Sequence, residues 1–350
     1  MKRLFWSCLI LVAMLLSACS PKTIEDPQLV YTQAAQTVMA QFTAIATLTP
    51  PTPTATLTPT TAPTETPSPT PEPSATATAT WPVFPPGKAT VPVLVYNSIA
   101  DSVEDDPFYQ WESALYVFSN EFEQQMRALS EAGYQTIPVS KLVEIINKGG
   151  TLPPKPVCIT FDNNKLGTYR KAFPIMQKYG FTGTIFLASD QIDAKNVMTS
   201  AQIKEMMAAG WEIGSRGASG ENLLDVQVQR PDTIGQEISG SRLDLEQKLG
   251  VPVTVFAYPG GAIDSEGRMV GRVQSWGYQA AVGLFKSSEH SLNTLFYIPR
   301  YEIRRGLPLT DFLTILPWQP EQPLSDATLN FLTPQPGGAE QPAPAATTAP

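Results

Sequence analysis

The chain is almost without histidine and cysteine, the side chains that hold most protein-bound transition metals. Its 350 residues include one histidine, His290, and three cysteines, Cys8, Cys19 and Cys158. A zinc site needs several nitrogen, sulfur or carboxylate donors that converge on one point, so one histidine excludes a histidine-rich zinc centre. A catalytic thiol needs a basic partner. No histidine lies near Cys158 in the sequence, and we expect this residue to be a small buried hydrophobe.

Positive charge is also scarce. The chain has 24 lysine and arginine residues against 32 aspartate and glutamate residues, which gives a formal net charge of −8 at pH 7. Proteins that bind nucleic acid carry basic patches or stripes. We therefore expect no nucleic-acid partner for this chain.

The N-terminus has the pattern of an export signal. Lys2 and Arg3 precede an apolar run over residues 4–16, which is too short to span a bilayer. The run leads into Leu-Ser-Ala-Cys at residues 16–19, which resembles a bacterial lipobox. That resemblance implies cleavage before Cys19 and diacylation of its sulfur; the alternative is an ordinary cleaved signal peptide. Residues 1–18 are thus predicted to direct export of a membrane-anchored lipoprotein to the cell surface or envelope.

Composition divides the rest of the chain into four parts. Residues 19–46 are predicted to be a lipidated N-terminus with a short helix, because apolar residues recur there every four positions. Residues 47–81 are almost wholly Pro, Thr, Ala and Ser, a composition typical of an extended linker. Residues 82–332 are predicted to form one folded domain, and residues 333–350 a disordered tail.

Within the predicted domain, short apolar runs alternate with segments of helical periodicity that end at glycine. The clearest predicted strands cover residues 91–96, 157–161, 184–187, 211–214 and 253–258. Thr199 and Gln202 are spaced to form a capping box at the start of one helix, and Asn120 and Glu123 at the start of another. This alternation is typical of an α/β fold with a parallel sheet. Seven or eight repeats favour a closed barrel, in which functional residues collect at the carboxyl ends of the strands.

Several short motifs lie at or near the ends of these predicted strands. They are residues 92–97 (Pro-Val-Leu-Val-Tyr-Asn), 158–164 (Cys-Ile-Thr-Phe-Asp-Asn-Asn), 212–216 (Glu-Ile-Gly-Ser-Arg), 256–261 (Phe-Ala-Tyr-Pro-Gly-Gly) and 299–303 (Pro-Arg-Tyr-Glu-Ile). In this order they resemble the motifs of the NodB-type polysaccharide deacetylases, carbohydrate esterase family 4. The resemblance runs from Val91 to Leu316 and implies a distorted (β/α) barrel of seven or eight repeats.

The resemblance also implies roles for individual positions. In that family an aspartate and two histidines hold zinc or a similar ion, which activates water, and a neighbouring aspartate takes the proton. Asp162 matches the catalytic base. The three metal ligands are matched by Asn163, Arg216 and Gly220, and Asn97 stands where another histidine is often found. An amide, a permanent cation and a residue without a side chain are poor ligands, so we expect no metal cofactor.

A carboxylate that has lost its metal needs another partner, because a buried unpaired carboxylate is costly. We therefore expect Asp162, Arg216 and Arg300 to form an ion-pair cluster, and Arg216→Ala to lower stability. The single histidine, His290, lies in a serine- and asparagine-rich segment and is expected to be solvated rather than catalytic.

Aromatic side chains supply candidate sugar contacts. Residues 101–117 carry Tyr109 and Trp111 beside several carboxylates, and Tyr258 lies in the Phe-Ala-Tyr-Pro motif. Aromatic faces beside hydrogen-bonding groups suit sugar rings. The candidate polar contacts for the same ligand are Asn97, Asn163, Arg216 and Arg300. The alternative is that the aromatics of this segment pack as a lid over the mouth of the barrel.

Together these features predict a surface-anchored lipoprotein whose deacetylase-like domain binds or scaffolds cell-envelope glycan or peptidoglycan without a metal. One alternative is an active polysaccharide or peptidoglycan deacetylase, a hydrolase of non-peptide carbon–nitrogen bonds with an atypical site. Another is a spacer that binds a second envelope protein. Whether the chain is an enzyme stays open at this point, because Asp162 is retained while the metal ligands are not.

Overall fold

The computed structural model of the chain describes residues 81–111 and 113–317. All of them belong to one of the two compact units of the chain, Ala75–Pro350. The predicted signal peptide, Cys19, the short helix, nearly all of the linker, the last part of the predicted domain and the tail lie outside the described residues. None of the described helices is long and apolar enough to cross a bilayer.

The strands of the described region are short, and the central ones are fully buried. In chain order they are β1 (Val83–Phe84), β2 (Lys88–Thr90), β3 (Val93–Tyr96), β4 (Ser98–Ile99), β5 (Tyr116–Val117), β6 (Gln135–Thr136), β7 (Gly150–Thr151), β8 (Pro156–Asp162), β9 (Thr184–Leu187), β10 (Glu212–Ser215), β11 (Val255–Ala257), β12 (Ala280–Val282), β13 (Glu289–Ser291) and β14 (Tyr301–Glu302).

Helices alternate with most of the later strands. They are α1 (Ser119–Glu131), α2 (Val139–Lys148), α3 (Phe173–Lys178), α4 (Ser200–Ala208), α5 (Leu223–Gln229), α6 (Ser241–Leu249), α7 (Arg268–Ser275) and α8 (Leu309–Thr314). The predicted capping box at the start of α4 is confirmed, because Thr199 and Gln202 each accept a hydrogen bond from the other's backbone N–H. Each bond satisfies an amide at the helix start that has no partner within the helix.

The capping box predicted at the start of α1 is wrong. The helix begins at Ser119 after Phe118, so Asn120 is not its N-cap residue, and its Oδ1 accepts instead from the N–H of Glu121 at 2.8 Å. A further acceptor comes from a distant loop: the Asp101 carboxylate accepts from the backbone N–H of Ser119 at 2.8 Å and from its hydroxyl at 2.6 Å. Asn120 and Glu123 therefore lie inside the helix and do not form a capping box. A long-range contact with Asp101 caps the first residue of the helix instead.

One sheet organises the domain. Seven strands pair in the order β12-β11-β10-β9-β8-β3-β14, and β6 pairs with β8 beside this path. Every pairing in this sheet is parallel. A further parallel bridge joins Val282, at the end of β12, to Ile298, just before β14. The two edges of the sheet thus curl towards each other, and the predicted distorted (β/α) barrel is confirmed.

Alternate residues of the strands face two apolar cores, because successive side chains point to opposite faces of a sheet. Leu94 and Phe161 belong to the larger core, which includes the apolar face of α1. Val93 and Cys158 belong to the second core, which includes the apolar face of α2. Cys158 is fully buried, and burial raises the pKa of its thiol. The thiol is therefore kept protonated and inert, as expected of a buried hydrophobe.

The single histidine is not solvated, and that expectation is wrong. His290 lies on β13, which pairs with β2 in an antiparallel ribbon, and only 2% of its surface is exposed. Its Nε2 donates to the carbonyl oxygen of Val91 at 2.7 Å, since a carbonyl can only accept, and Nδ1 has no partner among the described residues. Val91 precedes β3, so His290 lies at the amino-terminal end of the strands, away from their functional end.

The burial of His290 predicts a pH dependence of stability. Burial lowers the pKa of His290 from its ordinary value of 6.5, although the hydrogen bond to Val91 acts in the opposite direction. The unfolded chain therefore binds more protons than the folded chain once the pH falls below 6.5. We predict that the free energy of unfolding is insensitive to His290 above this pH and declines below it, by at most about 1.4 kcal/mol per pH unit.

Urea unfolding of the wild type and of His290→Gln at neutral pH and at mildly acidic pH measures this effect. Glutamine keeps an N–H donor for Val91 and removes the titrating group. The decline should be smaller in the variant, and an equal decline in both proteins would contradict the prediction.

Candidate functional site

The carboxyl ends of β8 and β10 bring the residues of two predicted motifs together. Asp162 is the last residue of β8, and Arg216 directly follows β10. The intervening strand, β9, holds both ends in place: the N–H of Asn163 donates to the carbonyl of Phe186 at 3.0 Å, and that of Arg216 to the carbonyl of Leu187 at 2.8 Å. The backbone positions of the site are therefore set by the parallel sheet itself.

Two asparagines shape the turn after β8. Asn163 has a φ of 76°, a left-handed conformation that asparagine adopts more readily than most residues. Asn164 is buried; its side chain accepts from the N–H of Ala188 at 2.8 Å and donates to the carbonyl of the same residue at 3.1 Å. Asn164 thus joins the loop after β8 to the loop after β9, and Asn163 remains to face the cleft.

Asp162 forms a bidentate ion pair with Arg300. The Arg300 Nη1 lies 2.7 Å from Oδ1 of Asp162, and Nη2 lies 3.0 Å from Oδ2. The same guanidinium donates from Nη1 to the hydroxyl of Thr160 and from Nε to the carbonyl of Gly283. Arg300 is 1% exposed and Asp162 4%. Such a buried, two-point pair, with two further hydrogen bonds from the guanidinium, is a strong geometry for these side chains.

The guanidinium of Arg216 lies between Asn163, Gly220 and Asp162. Its Nη1 donates to Oδ1 of Asn163 at 2.7 Å and to the carbonyl of Gly220 at 2.8 Å, and its Nε lies 3.6 Å from Oδ2 of Asp162. Burial lowers the pKa of Arg216; the nearby Asp162 carboxylate acts in the opposite direction, and the charge of Arg300 adds to the lowering. The expected cluster of Asp162, Arg216 and Arg300 thus exists, but Arg300 rather than Arg216 is the close partner of the carboxylate.

Gly220 provides the room that Arg216 occupies. A Cβ atom at position 220 would lie 3.3 Å from Nη1 of Arg216 and 3.2 Å from the Cβ of Ala188, and the glycine has a φ of 78°. The conformation and the contact both disfavour a larger residue. The loop that carries Gly220 is held by Glu237, whose carboxylate accepts from the N–H groups of Ala218 and Ser219 at 3.0 Å.

The residues present do not fit the zinc ion that the sequence resemblance implies. Among residues 81–111 and 113–317, no group of three or more His, Cys, Asp and Glu side chains is placed to hold a metal ion. The oxygens at the ligand positions, Oδ1 of Asn163 and the carbonyl of Gly220, already accept hydrogen bonds from Arg216. A divalent cation there would face two guanidinium groups and one carboxylate, and the Coulomb repulsion in a buried site is large.

A cleft of about 510 Å³ opens above this cluster. Its lining includes Arg216 and Asn163 on the floor, and Phe108, Gln191 and Lys195 around them. This volume lies in the range of small-molecule sites, which hold a few directed polar groups among apolar ones.

One wall of the cleft is built by Phe108 and Lys165. Phe108 is 45% exposed, and the Nζ of Lys165 lies 4.5 Å from the centroid of its ring. The same Nζ donates to the hydroxyl of Tyr116 at 2.9 Å and lies 4.0 Å from Oδ2 of Asp106. Burial lowers the pKa of Lys165, while Asp106 acts in the opposite direction. Lys165 is therefore held by its neighbours and fixes the ring of Phe108 in place.

Five residues proposed for binding from the sequence do not line this cleft. Arg300 is buried against Asp162. Asn97 is half-buried after β3, and Tyr258 is fully buried, which raises the pKa of its hydroxyl. The ring of Tyr109 packs edge-on against Tyr116 at 5.2 Å. Trp111 is 56% exposed.

The segment around Trp111 does not form a buried lid over the barrel mouth. The Trp111 ring lies 5.6 Å from that of Phe118, and the guanidinium of Arg305 lies over both. The exposed face of Trp111 is therefore outside the cleft, and Phe108 is the aromatic side chain of this loop that reaches it.

Sequence patterns missed the polar rim of the cleft. Gln191 and Lys195 come from the loop after β9, and Lys165 from the turn after β8. The rule that functional residues follow the carboxyl ends of barrel strands points to both loops. The residue types alone gave no reason to choose these side chains over their neighbours.

Residues 149–281 match the family model described as polysaccharide deacetylase. The Bacillus subtilis (strain 168) protein YxkH, a polysaccharide deacetylase by name, is 28% identical over 219 residues, which cover 63% of this chain and 73% of YxkH. The poly-beta-1,6-N-acetyl-D-glucosamine N-deacetylase of Staphylococcus aureus is 23% identical over 195 residues, which cover 53% of this chain and 66% of that protein. The described domain is therefore polysaccharide deacetylase-like.

The fold is similar to that of a solved deacetylase. The Streptococcus pyogenes deacetylase PplD in complex with acetate superimposes with a TM-score of 0.56 at 21% identity, and the match covers 66% of this chain and 99% of PplD. The barrel is therefore of the NodB type, as the sequence resemblance implies.

The geometry of the cluster predicts that Arg300 contributes more to stability than Arg216. Arg300→Met leaves the buried Asp162 carboxylate without its bidentate partner, and we predict a loss of about 3–5 kcal/mol in the free energy of unfolding. Arg216→Met leaves the Asp162–Arg300 pair intact and opens Asn163 to water, so its loss should be much smaller. Urea unfolding of both variants measures the difference. Equal losses would show that the two arginines share the carboxylate equally.

Proposed function

We propose that this domain binds glycan of the cell envelope in the cleft above Asp162 without metal-dependent hydrolysis. We also propose that lipid on Cys19 anchors the chain to the membrane, as residues 16–19 predict. A binding role agrees with the polysaccharide deacetylase-like domain and the retained cleft. The absence of hydrolysis is inferred from the residues of the floor.

The position of the Arg216 guanidinium carries this proposal. It donates to Asn163 and to Gly220 and lies beside Asp162, so it joins the segments after β8 and β10, the two that the resemblance assigns to metal binding. A metal ion supplies a Lewis acid and a bound hydroxide. A guanidinium can hold the same backbone in place and bind an acceptor oxygen, but it cannot generate hydroxide from water because it has no titratable base. The arrangement therefore favours binding over hydrolysis.

The walls of the cleft support a sugar as the ligand. The exposed ring of Phe108 offers an apolar face, and Asn163, Gln191 and Arg216 offer polar groups around it. Sugar rings combine apolar faces with hydroxyl and amide groups, so both kinds of contact are used. One relative is named for its action on poly-beta-1,6-N-acetyl-D-glucosamine, and oligomers of that polymer are the first ligands to test.

Metal analysis together with an acetate-release assay tests the proposal. The full-length protein, equilibrated with zinc and then dialysed, should retain far less than one zinc per chain. It should bind oligomers of β-1,6-linked N-acetylglucosamine or peptidoglycan fragments equally well with and without a chelator, and release no acetate. Stoichiometric zinc, or acetate release that a chelator stops, would support the alternative of an active deacetylase instead.

A variant with Asn163→Asp, Arg216→His and Gly220→His is the matched control for metal binding. Its ligand set includes two imidazoles and a carboxylate, so we predict that it gains zinc affinity relative to the wild type. The left-handed backbone at position 220 costs about 1–2 kcal/mol for a histidine, so circular dichroism has to confirm that the variant folds. Failure of the folded variant to bind more zinc than the wild type would show that side-chain identity is not what excludes the metal.

The two exposed aromatics of the 101–117 loop give a second prediction. Phe108 lines the cleft and Trp111 does not, so Phe108→Ala should weaken glycan binding roughly 2- to 10-fold, while Trp111→Ala should leave it unchanged. Dissociation constants for the same N-acetylglucosamine oligomer measure both effects. A larger loss for Trp111→Ala would place the ligand outside the cleft.

A further inference from the structure

The cluster below the cleft carries one unbalanced positive charge. Asp162 supplies one negative charge, and Arg216 and Arg300 supply two positive charges, and none of the three side chains is more than 11% exposed. Asp162 and Arg300 are the charged groups that act on Arg216. An uncompensated charge in a buried position is costly, and an anion in the cleft would remove that cost.

Arg216 and Lys195 bring positive charge to the lining of the cleft. The Nη1 protons of Arg216 are used by Asn163 and Gly220, and its buried Nε lies 3.6 Å from Oδ2 of Asp162. Lys195 lines the cleft, is exposed, and forms no ion pair within the described residues.

Among the described residues that line the cleft, the single acidic one is paired with an arginine. Glu221 lies on the rim, and its carboxylate is 2.6 Å from Nη2 of Arg230. Lys165, the other lysine of the lining, is paired with Asp106 and held against Phe108. The charge that remains available to a ligand is therefore positive, at Arg216 on the floor and at Lys195 on the rim.

We propose that the floor of the cleft is a carboxylate subsite and that the glycan bound there contains an acidic sugar, with Arg216 and Asn163 as donors and Lys195 at the rim. This inference rests on the proposed glycan-binding function and names the class of sugar. A carboxylate carries one negative charge, which equals the excess of the buried cluster. A phosphomonoester carries about −1.5 to −2 at neutral pH and exceeds that charge.

Trigalacturonate and its fully methyl-esterified form are a matched pair of probes. The two have the same number and kind of sugar rings, and the ester replaces each charge with a methyl group. We predict that the full-length protein binds trigalacturonate at least about tenfold more tightly than the ester, because hydrogen bonds to a charged acceptor are the stronger ones. Dissociation constants from ligand-observed NMR at low ionic strength measure this ratio.

Arg216→Gln should bring the ratio close to one, and Lys195→Gln should lower it severalfold. Lys204→Gln is the control, because Lys204 is an exposed lysine on α4 and does not line the cleft. Since Lys195 is exposed, its variant keeps the test valid if Arg216→Gln fails to fold. An unchanged ratio in folded Arg216→Gln would overturn the inference.

The remaining outcomes separate the inference from the function on which it rests. Equal affinities for trigalacturonate and its ester would overturn the carboxylate subsite and leave neutral glycan binding intact. If acetate binds as tightly as trigalacturonate, the sugar rings contribute nothing to binding. That result would overturn both the proposal of an acidic sugar and the proposed glycan-binding function. Inorganic phosphate that binds more tightly than either would overturn the choice of a carboxylate.

Discussion

The bidentate ion pair between Arg300 and Asp162 determines the character of the site. It joins the segment before β14 to the end of β8, and it satisfies both oxygens of the carboxylate. Because Arg300 already neutralises Asp162, the charge of Arg216 is surplus rather than compensating. This surplus positive charge explains why a divalent cation does not fit and why the floor of the cleft favours an anion. A second positive charge beside a satisfied ion pair needs an anion of its own.

Asn163, Arg216 and Gly220 behave as one structural unit. Each of the three differs from the ligand that the resemblance implies, and the three substitutions are complementary. The amide oxygen and the backbone carbonyl accept the protons of the guanidinium, and the missing side chain makes room for it. A cross-link of this kind keeps the loops after β8 and β10 together, which is the structural part of what a bound metal would otherwise do.

The fold could be predicted from the sequence because its signals are local and repeated. Apolar strands, glycine-ended helices and ordered motifs all indicated the same barrel, and the capping box at Thr199 depends on four adjacent residues. Long-range contacts caused the errors: Asp101 caps α1, and the β2–β13 ribbon buries His290. In the site, residue types indicated an ion-pair cluster, but only the geometry distinguishes Arg300 as the partner of Asp162. Phe108 and Lys195 depend on loop paths that a single sequence does not determine.

The limited space beside Gly220 determines the order in which substitutions could rebuild a metal site in this domain. A histidine introduced at position 220 first would meet the guanidinium of Arg216, so Arg216 has to be replaced before a ligand can be added there. The intermediate with neither group has a void and unsatisfied acceptors, and it gains no coordination bond in return. Directed evolution by single substitutions would therefore pass through a less stable intermediate. Residues 216 and 220 are better exchanged together.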